Sequence, residues 1–237
     1  IGVARNGVPF YNAVAVETQR LGGTEYTLNS VFSQIENGVE DGSGRLGLDG
    51  VYNYHADPKL MYEKDPTVHS PILGFAFDGH PIYGPYGYTN SNDKTIKIQT
   101  SSYKLRSISR ADGSTPDGRY IEDFEYVNGS GDLDEYNGRF IVTPEYPNGT
   151  YAYFVTVDPA DTTKPVYPYI IGSEYHGTPI LPNSNASMPD SDNIPAQAEA
   201  LISRSSVGSI VLTNPGAGYT KAPTITITGG GGTVTRT

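Results

Sequence analysis

The four histidines are the residues best suited to hold a transition metal. They are His55, His69, His80 and His176. A first-row metal needs three or four nitrogen, oxygen or sulfur ligands at about 2.0–2.3 Å. His55 and His69 could converge with His176 or Asp78 on copper or zinc. No two histidines have the i, i+2 or i, i+4 spacing that one element would impose, so hydrogen-bonded structural histidines are the alternative.

A second group of possible ligands lies between Gly131 and Arg139. Its oxygen-bearing side chains are Asp132, Asp134, Glu135 and Asn137. Alternating oxygen ligands before a glycine resemble a calcium loop, but the register is one residue too long for an EF-hand and the later bidentate glutamate is missing. A tight acidic turn whose side chains cap backbone N–H groups is the alternative to calcium.

The segment Asp78–Pro81 could carry acid–base catalysis, with His80 as the proton carrier. Neither a serine-centred elbow nor a zincin motif accompanies it. The flanking glycine and proline describe a sharp turn that aims Tyr83, Tyr86 and Tyr88. We therefore predict that the protein is not an enzyme.

Tyrosine is the dominant aromatic residue, with 19 copies and no tryptophan. A tyrosine ring packs like an apolar body, whereas its hydroxyl needs a partner, so tyrosine suits half-buried sheets and wet interfaces. We predict an interaction surface made of Tyr83, Tyr86, Tyr88 and Tyr219. Its expected partners are copies of the same chain, other structural proteins, or surface glycans that stack on the rings.

Composition excludes several classes of function. The 237 residues are 36% hydrophobic and 18% charged, which suffices for a packed core, and the net charge is −10. Such a charge repels nucleic-acid phosphates and anionic lipid. No apolar run approaches the roughly 20 residues of a membrane span, so membrane insertion is not expected. Cysteine is absent, which excludes disulfides and thiolate metal sites.

The elements that must position these residues are short strands separated by turns. Runs rich in aromatic and β-branched residues alternate with Asn-Gly and Asp-Gly turns. The runs are Val8–Tyr11, Val51–Tyr54, Ile72–Phe77, Ile96–Gln99, Phe140–Val142, Tyr151–Val157 and Tyr167–Ile171. Only Leu28–Glu36 and Ala196–Arg204 show hints of helix. The predicted fold class is mainly β.

Three regions follow from the composition along the chain. Residues 1–182 indicate a single large β-rich domain with many short strands. Residues 183–205 begin in a segment rich in Pro, Asn, Ser and Asp, which is typical of a linker. Residues 206–237 indicate a small glycine-rich β-hairpin unit, because Thr224–Thr228 alternates with period two. This tail resembles repeats of phage structural proteins and large surface proteins.

Five ordered sequence blocks together resemble the YHYH-domain family. The first is Tyr52-Asn53-Tyr54-His55, and the second is Gly74–Tyr88, which reads GFAFDGHPIYGPYGY. The others are Gly131–Arg139 (GDLDEYNGR), Thr143–Thr156 (TPEYPNGTYAYFVT) and Tyr167–Gly172 (YPYIIG). The sequence departs from the family pattern in having Asn53 at the first histidine position and Tyr136 at a cysteine position.

The resemblance implies a module of a secreted bacterial or phage protein. The first functional hypothesis is a structural or adhesive module of an extracellular or virion assembly, such as a phage appendage, a tail-associated protein or an extracellular filament. It would associate with itself through tyrosine-rich surfaces and the C-terminal tail. The alternatives are an extracellular protein that binds copper or zinc, and a carbohydrate-binding module.

Overall fold

The computed structural model describes residues 1–32, 44–46 and 50–179, and the backbone of four strands between residues 197 and 236. The chain divides into two compact units, Ile1–Ile180 and Leu181–Thr237. In the described part, no helix has both the length and the apolar character needed to cross a membrane. The mainly β prediction is confirmed.

An eight-stranded sheet forms the centre of the first unit. Its strands are β1 (Gly2–Ala4), β2 (Pro9–Phe10), β5 (Gly44–Leu46), β6 (Tyr52–Tyr54), β7 (Ile72–Ala76), β8 (Pro81–Tyr83), β13 (Gly138–Ile141) and β14 (Thr150–Phe154). Their order is β13-β14-β8-β7-β1-β2-β6-β5. Neighbours are antiparallel except for the pairs β14–β8 and β2–β6, which are parallel.

Three two-stranded pairs accompany this sheet in the described residues of the first unit. They are β3 (Val14–Leu21) with β4 (Thr24–Asn29), β9 (Tyr86–Asn90) with β10 (Asp93–Ile98), and β11 (Tyr103–Leu105) with β12 (Phe124–Tyr126). Two short 3₁₀ helices, Lys59–Met61 and Ile121–Asp123, lie in the connections.

The central strands are buried on both faces because their side chains alternate between two apolar clusters. On β14, Tyr151 and Tyr153 belong to the larger cluster, whereas Ala152 and Phe154 belong to the smaller one. On β8, Ile82 and Tyr83 divide in the same way. A strand with two covered faces has a nearly continuous apolar sequence, which is why this part of the sequence is so aromatic.

Two of the predicted local structures are wrong. The run Tyr167–Ile171 forms turns rather than a strand, because Pro168 offers no N–H for a ladder and Tyr169 has a left-handed φ of 73°. Within Ala196–Arg204, the residues Gln197–Ser203 form a strand, β15, rather than a helix. An isolated helix of that length is marginal in water, whereas the following β-branched segment offers β15 a partner.

The second unit contains two hairpins in its described part. Strand β15 pairs with β16 (Ser206–Asn214), and β17 (Ile225–Gly229) pairs with β18 (Gly232–Arg236). The segment predicted as a linker, 183–205, therefore contributes a strand at its C-terminal end. The alternating segment contributes to β17. Strand β16 pairs with β15, which precedes it in the chain, and not with β17.

Candidate functional site

Two of the four histidines meet at the surface of the first unit. The ring centroids of His80 and His176 lie 5.5 Å apart. His176 also stacks on Tyr151 with centroids 3.6 Å apart and planes 11° from parallel. His80 precedes β8 and Tyr151 belongs to the parallel neighbour β14, so sheet pairing brings these rings together. His176 is exposed and His80 is half-buried.

Carboxylates hold the phenols beneath this histidine pair. The Tyr153 hydroxyl donates to Asp78 Oδ2 at 2.6 Å, and the Tyr151 hydroxyl donates to both oxygens of Asp134 at 2.9 Å. The Gly177 N–H also donates to Asp78 Oδ2, at 3.0 Å. Burial, followed by the nearby carboxylate charges, raises the pKa of Tyr151 and of Tyr153. Both phenols therefore stay protonated and serve as donors.

His55 lies in a different environment, under the ring of Tyr11. Its Nδ1 is 2.7 Å from the Asn12 carbonyl oxygen and 3.2 Å from Ser30 Oγ. A carbonyl only accepts, so Nδ1 carries a proton. Burial lowers the pKa of His55 to about 4. His55 is thus a structural histidine among aromatic and backbone groups.

His69 occupies a third environment, an aromatic box. Its ring centroid lies 5.0 Å from that of Tyr83 and 4.9 Å from that of Tyr88, both edge-on, and Phe154 is next to it. Its Nδ1 is 2.8 Å from the Ser70 carbonyl oxygen, and burial lowers the pKa of this imidazole. Burial in this box therefore disfavours the protonated form of His69.

The predicted copper or zinc site of His55, His69, His176 and Asp78 is not formed. Only His176 and Asp78 are brought together, and their neighbour is His80, the residue considered as a proton carrier. Within residues 1–32, 44–46 and 50–179, no three histidine, aspartate or glutamate side chains are placed to hold a metal ion. The physical reason is that His55 and His69 each donate to a local carbonyl inside separate aromatic surroundings.

The predicted calcium ligands also have internal partners. Asp132 pairs with Lys97 Nζ at 2.5 Å and accepts from the backbone N–H and hydroxyl of Thr100. The Asn137 side chain donates to the carbonyls of Phe154 and Ile170, while Glu135 is exposed.

Asp134 shows why the acidic turn is the better interpretation. Its Oδ1 accepts the N–H groups of Tyr136 at 3.0 Å and Gly138 at 3.1 Å, besides the Tyr151 phenol. Asn137 sits between them with a left-handed φ of 66°, which asparagine tolerates better than most residues. The side chains thus cap backbone N–H groups and direct the chain into β13.

The predicted interaction surface is wrong for two of its tyrosines. Tyr83 is fully buried and its hydroxyl donates to Glu145 at 2.9 Å, and Tyr86 is also buried. Tyr88 is partly exposed, with Lys94 Nζ 5.8 Å from its ring centroid. Tyr219 lies outside the described residues. Strands β8 and β9 therefore bury Tyr83 and Tyr86 in the core rather than presenting them.

Instead, exposed apolar side chains lie on the open part of the sheet. Val3 on β1 and Phe75 on β7 are direct cross-strand partners, 42% and 44% exposed. Pro9 on β2 is half-buried and pairs with Val3, so an apolar row on one face crosses three strands. Pro81, the partner of Phe75 on β8, is buried and ends the row. We call Val3, Phe75 and Pro9 the open apolar row. Sequence reasoning missed it, because alternation places Phe75 on a face but does not say which strand lies beside it.

Comparison with known proteins identifies the family of the first unit. A family model described as YHYH protein matches residues 1–166. No curated protein and no solved structure matches the chain. The match includes the Tyr52–His55 block and the β7–β8 segment that carries Phe75 and His80. The chain therefore belongs to the YHYH protein family.

Proposed function

We propose that this protein is a structural or adhesive module of an extracellular or virion assembly. In this proposal, copies of the chain associate through the open apolar row. The tyrosines contribute indirectly, by making the sheet beneath that surface rigid.

The observation that carries the proposal is the exposed Val3–Phe75 pair at the centre of the sheet. Scattered exposed apolar residues are normal, but a contiguous apolar surface is typical of an interaction site. The other half of the same face is covered by the cluster around Leu133, Phe154 and Tyr83. The open half therefore leaves the Val3–Phe75 pair exposed beside a packed part of the same face.

A second exposed aromatic residue lies at the sheet edge. Phe140 belongs to β13, the first strand in the sheet order, and is 69% exposed. A stable interface needs roughly 1,000 Å² or more of buried surface, which is larger than one side-chain pair. Phe140 pairs with Tyr151, whose ring packs in the larger cluster, so Phe140 lies on the opposite face from Phe75 and does not extend the open apolar row. A partner subunit would therefore have to cover more of the sheet around the row.

Sedimentation of the full chain over a range of concentrations tests the proposal. We expect reversible association, and we expect Phe75→Ser to raise the concentration for half-association roughly tenfold, since burial of one ring stabilises by about 1.5–3 kcal/mol. Ile108→Ser is the matched control, because Ile108 is 78% exposed and lies outside the sheet. A chain that stays monomeric throughout, or equal effects of the two substitutions, would contradict self-association through this row.

A further inference from the structure

One lysine–aspartate pair is almost excluded from water. Lys64 Nζ lies 2.5 Å from Asp57 Oδ2, and the two side chains are 19% and 1% exposed. Removing both charges from water costs several kcal/mol per ion, which mutual attraction offsets only when the geometry and the additional hydrogen bonds are good. The local geometry therefore decides whether the two charged groups stabilise each other.

The other polar contacts hold the two groups without completing a normal ion pair. The Tyr62 hydroxyl donates to Asp57 Oδ1 at 2.9 Å, and Lys64 Nζ donates to the Thr162 carbonyl oxygen at 2.7 Å. In the described part of the chain, Asp57 Oδ2 accepts no hydrogen bond of normal geometry, despite the short distance to Lys64 Nζ. Lys64 Nζ is thus in close contact with the Asp57 carboxyl group, while its hydrogen bond goes to the Thr162 carbonyl oxygen.

A second pair in the same unit shows the contrast. Lys97 Nζ is also 2.5 Å from Asp132, but its side chain is 38% exposed and it donates a regular hydrogen bond. Thr100 adds two more donors to that carboxylate. The Lys97–Asp132 contact has more of the solvent and donors that stabilise separated charges, whereas the Asp57–Lys64 contact is drier and Tyr62 donates to Asp57 Oδ1 alone.

We propose that Lys64 and Asp57 condense to an intramolecular isopeptide bond. In the first step a proton moves from the Lys64 ammonium to Asp57, which gives a neutral amine and a carboxylic acid. The Nζ lone pair forms a bond to Asp57 Cγ, the Cγ–Oδ2 bond breaks, and Oδ2 leaves with two protons as water. No group is oxidised or reduced.

The surrounding residues suit this step. Reacting groups that are fixed in contact gain a large advantage over groups in solution, because the entropy of bringing them together is already lost in folding. The Tyr62 hydroxyl faces Oδ1, where negative charge develops as Nζ adds to Cγ. Burial raises the pKa of Tyr62, and the Asp57 charge acts in the same direction, so this phenol keeps its proton. The amide replaces two buried charges with a neutral group.

The bond would supply a covalent cross-link to a chain that has no cysteine and therefore no disulfide. It closes the loop that contains the 3₁₀ helix Lys59–Met61, and it fixes the segment between β6 and β7. A covalent loop stabilises a fold chiefly by restricting the unfolded chain.

Mass spectrometry of the purified full chain after prolonged incubation in the folded state tests the proposal. We expect an intact mass lower than the sequence mass by one water molecule. Trypsin cleaves after Arg45, Lys59, Lys64 and Lys94, but an amidated Lys64 resists cleavage. Peptides 46–59 and 60–94 should therefore remain joined as one branched species. Three separate peptides, 46–59, 60–64 and 65–94, together with the full sequence mass, would show an ion pair only and overturn the proposal.

Two controls distinguish the isopeptide from other losses of water. Lys64→Arg keeps the charge but should restore the full mass, whereas Lys97→Arg should keep the loss. A succinimide at one of the Asp-Gly sequences loses the same mass, but it hydrolyses in mild alkali, while the amide survives. A loss that disappears in alkali, or that persists in Lys64→Arg, would also overturn the proposal. None of these readouts depends on self-association.

Discussion

Histidine chemistry in this protein is decided by what each ring touches. His55 donates to a backbone carbonyl inside the core, His69 does so inside an aromatic box, and the surface pair of His80 and His176 contacts tyrosines. A sequence shows four imidazoles and no distances between them. The alternative of structural histidines among tyrosines was available from composition, but which two would meet depends on the pairing of β8 with β14, and that pairing is not encoded locally.

Acid should destabilise the protein through His55. Its pKa is about 4 in the folded chain and near 6.5 when unfolded, so the unfolded chain binds the proton more readily within this window. Stability is therefore fully present above about pH 6.5 and is lost as the pH falls towards 4, by roughly 3 kcal/mol. Urea unfolding at a series of pH values measures this loss.

The variant His55→Gln isolates that contribution. It should be less stable at neutral pH, but its further loss of stability in acid should be smaller by roughly the same 3 kcal/mol. His176→Gln, which removes an exposed imidazole, is the comparison variant. Parallel curves for the original chain and His55→Gln would show that carboxylates alone cause the acid sensitivity.

At the scale of elements, turns were easier to predict from the sequence than the pairing of strands. The acidic turn before β13 follows from side-chain oxygens next to a glycine, and the structure shows the capping bonds in detail. A side chain at Gly138 would overlap the Tyr151 phenol, so the glycine also makes room for the contact with Asp134. By contrast, β15 was missed because its Ala-Glu-Ala-Leu segment has good helix propensity, and only the neighbouring strand decides against a helix.

Removing the Asp134 carboxylate should weaken the turn and β13 together. Asp134→Ala leaves two N–H groups and the Tyr151 hydroxyl without their acceptor. We expect the free energy of unfolding to fall by about 3 kcal/mol, and by about 1 kcal/mol in Tyr151→Phe, which loses a single hydrogen bond. Denaturant unfolding of each variant measures these losses.

Glu135→Ala is the neighbouring control, because Glu135 is exposed and should contribute less than about 0.5 kcal/mol. Added calcium should leave the unfolding midpoint of the original chain unchanged, since Asp132 and Asp134 are already bonded within the protein. A clear rise of the midpoint with calcium would favour the metal loop instead.

At the scale of the whole molecule, the fold class and the family could be inferred from sequence, but the surface could not. Strand-rich composition and five ordered blocks sufficed for the first two. The same reasoning placed Tyr83 at the surface because a phenol tolerates water, yet its ring is buried and its hydroxyl donates to Glu145, which a distant segment contributes. Which ring is buried depends on such long-range partners, so the open apolar row emerged only from the register of β1, β2 and β7.

Self-association should strengthen with salt. Each copy carries a net charge of −10, so copies repel one another, and salt screens this repulsion over about 10 Å at 0.1 M. The apolar contact itself does not depend on screening. Sedimentation at low and high sodium chloride concentrations should show tighter association at high salt, with Phe75→Ser weaker at both. Association that weakens with salt would indicate an interface made of ion pairs.

The strand order has a consequence for the time at which the sheet can close. Strand β1 lies beside β7, and β8 lies between β7 and β14, so residues at position 3 and position 153 belong to one hydrogen-bonded layer. During synthesis on the ribosome, β1, β7 and β8 are complete before Thr150–Phe154 is available to pair with β8. Non-local pairing of this kind slows folding, because the entropy of closing long loops is lost before the stabilising contacts form. During synthesis the aromatic centre of the sheet is therefore exposed to chaperones and to other nascent chains, until the last strand enters beside Ile82.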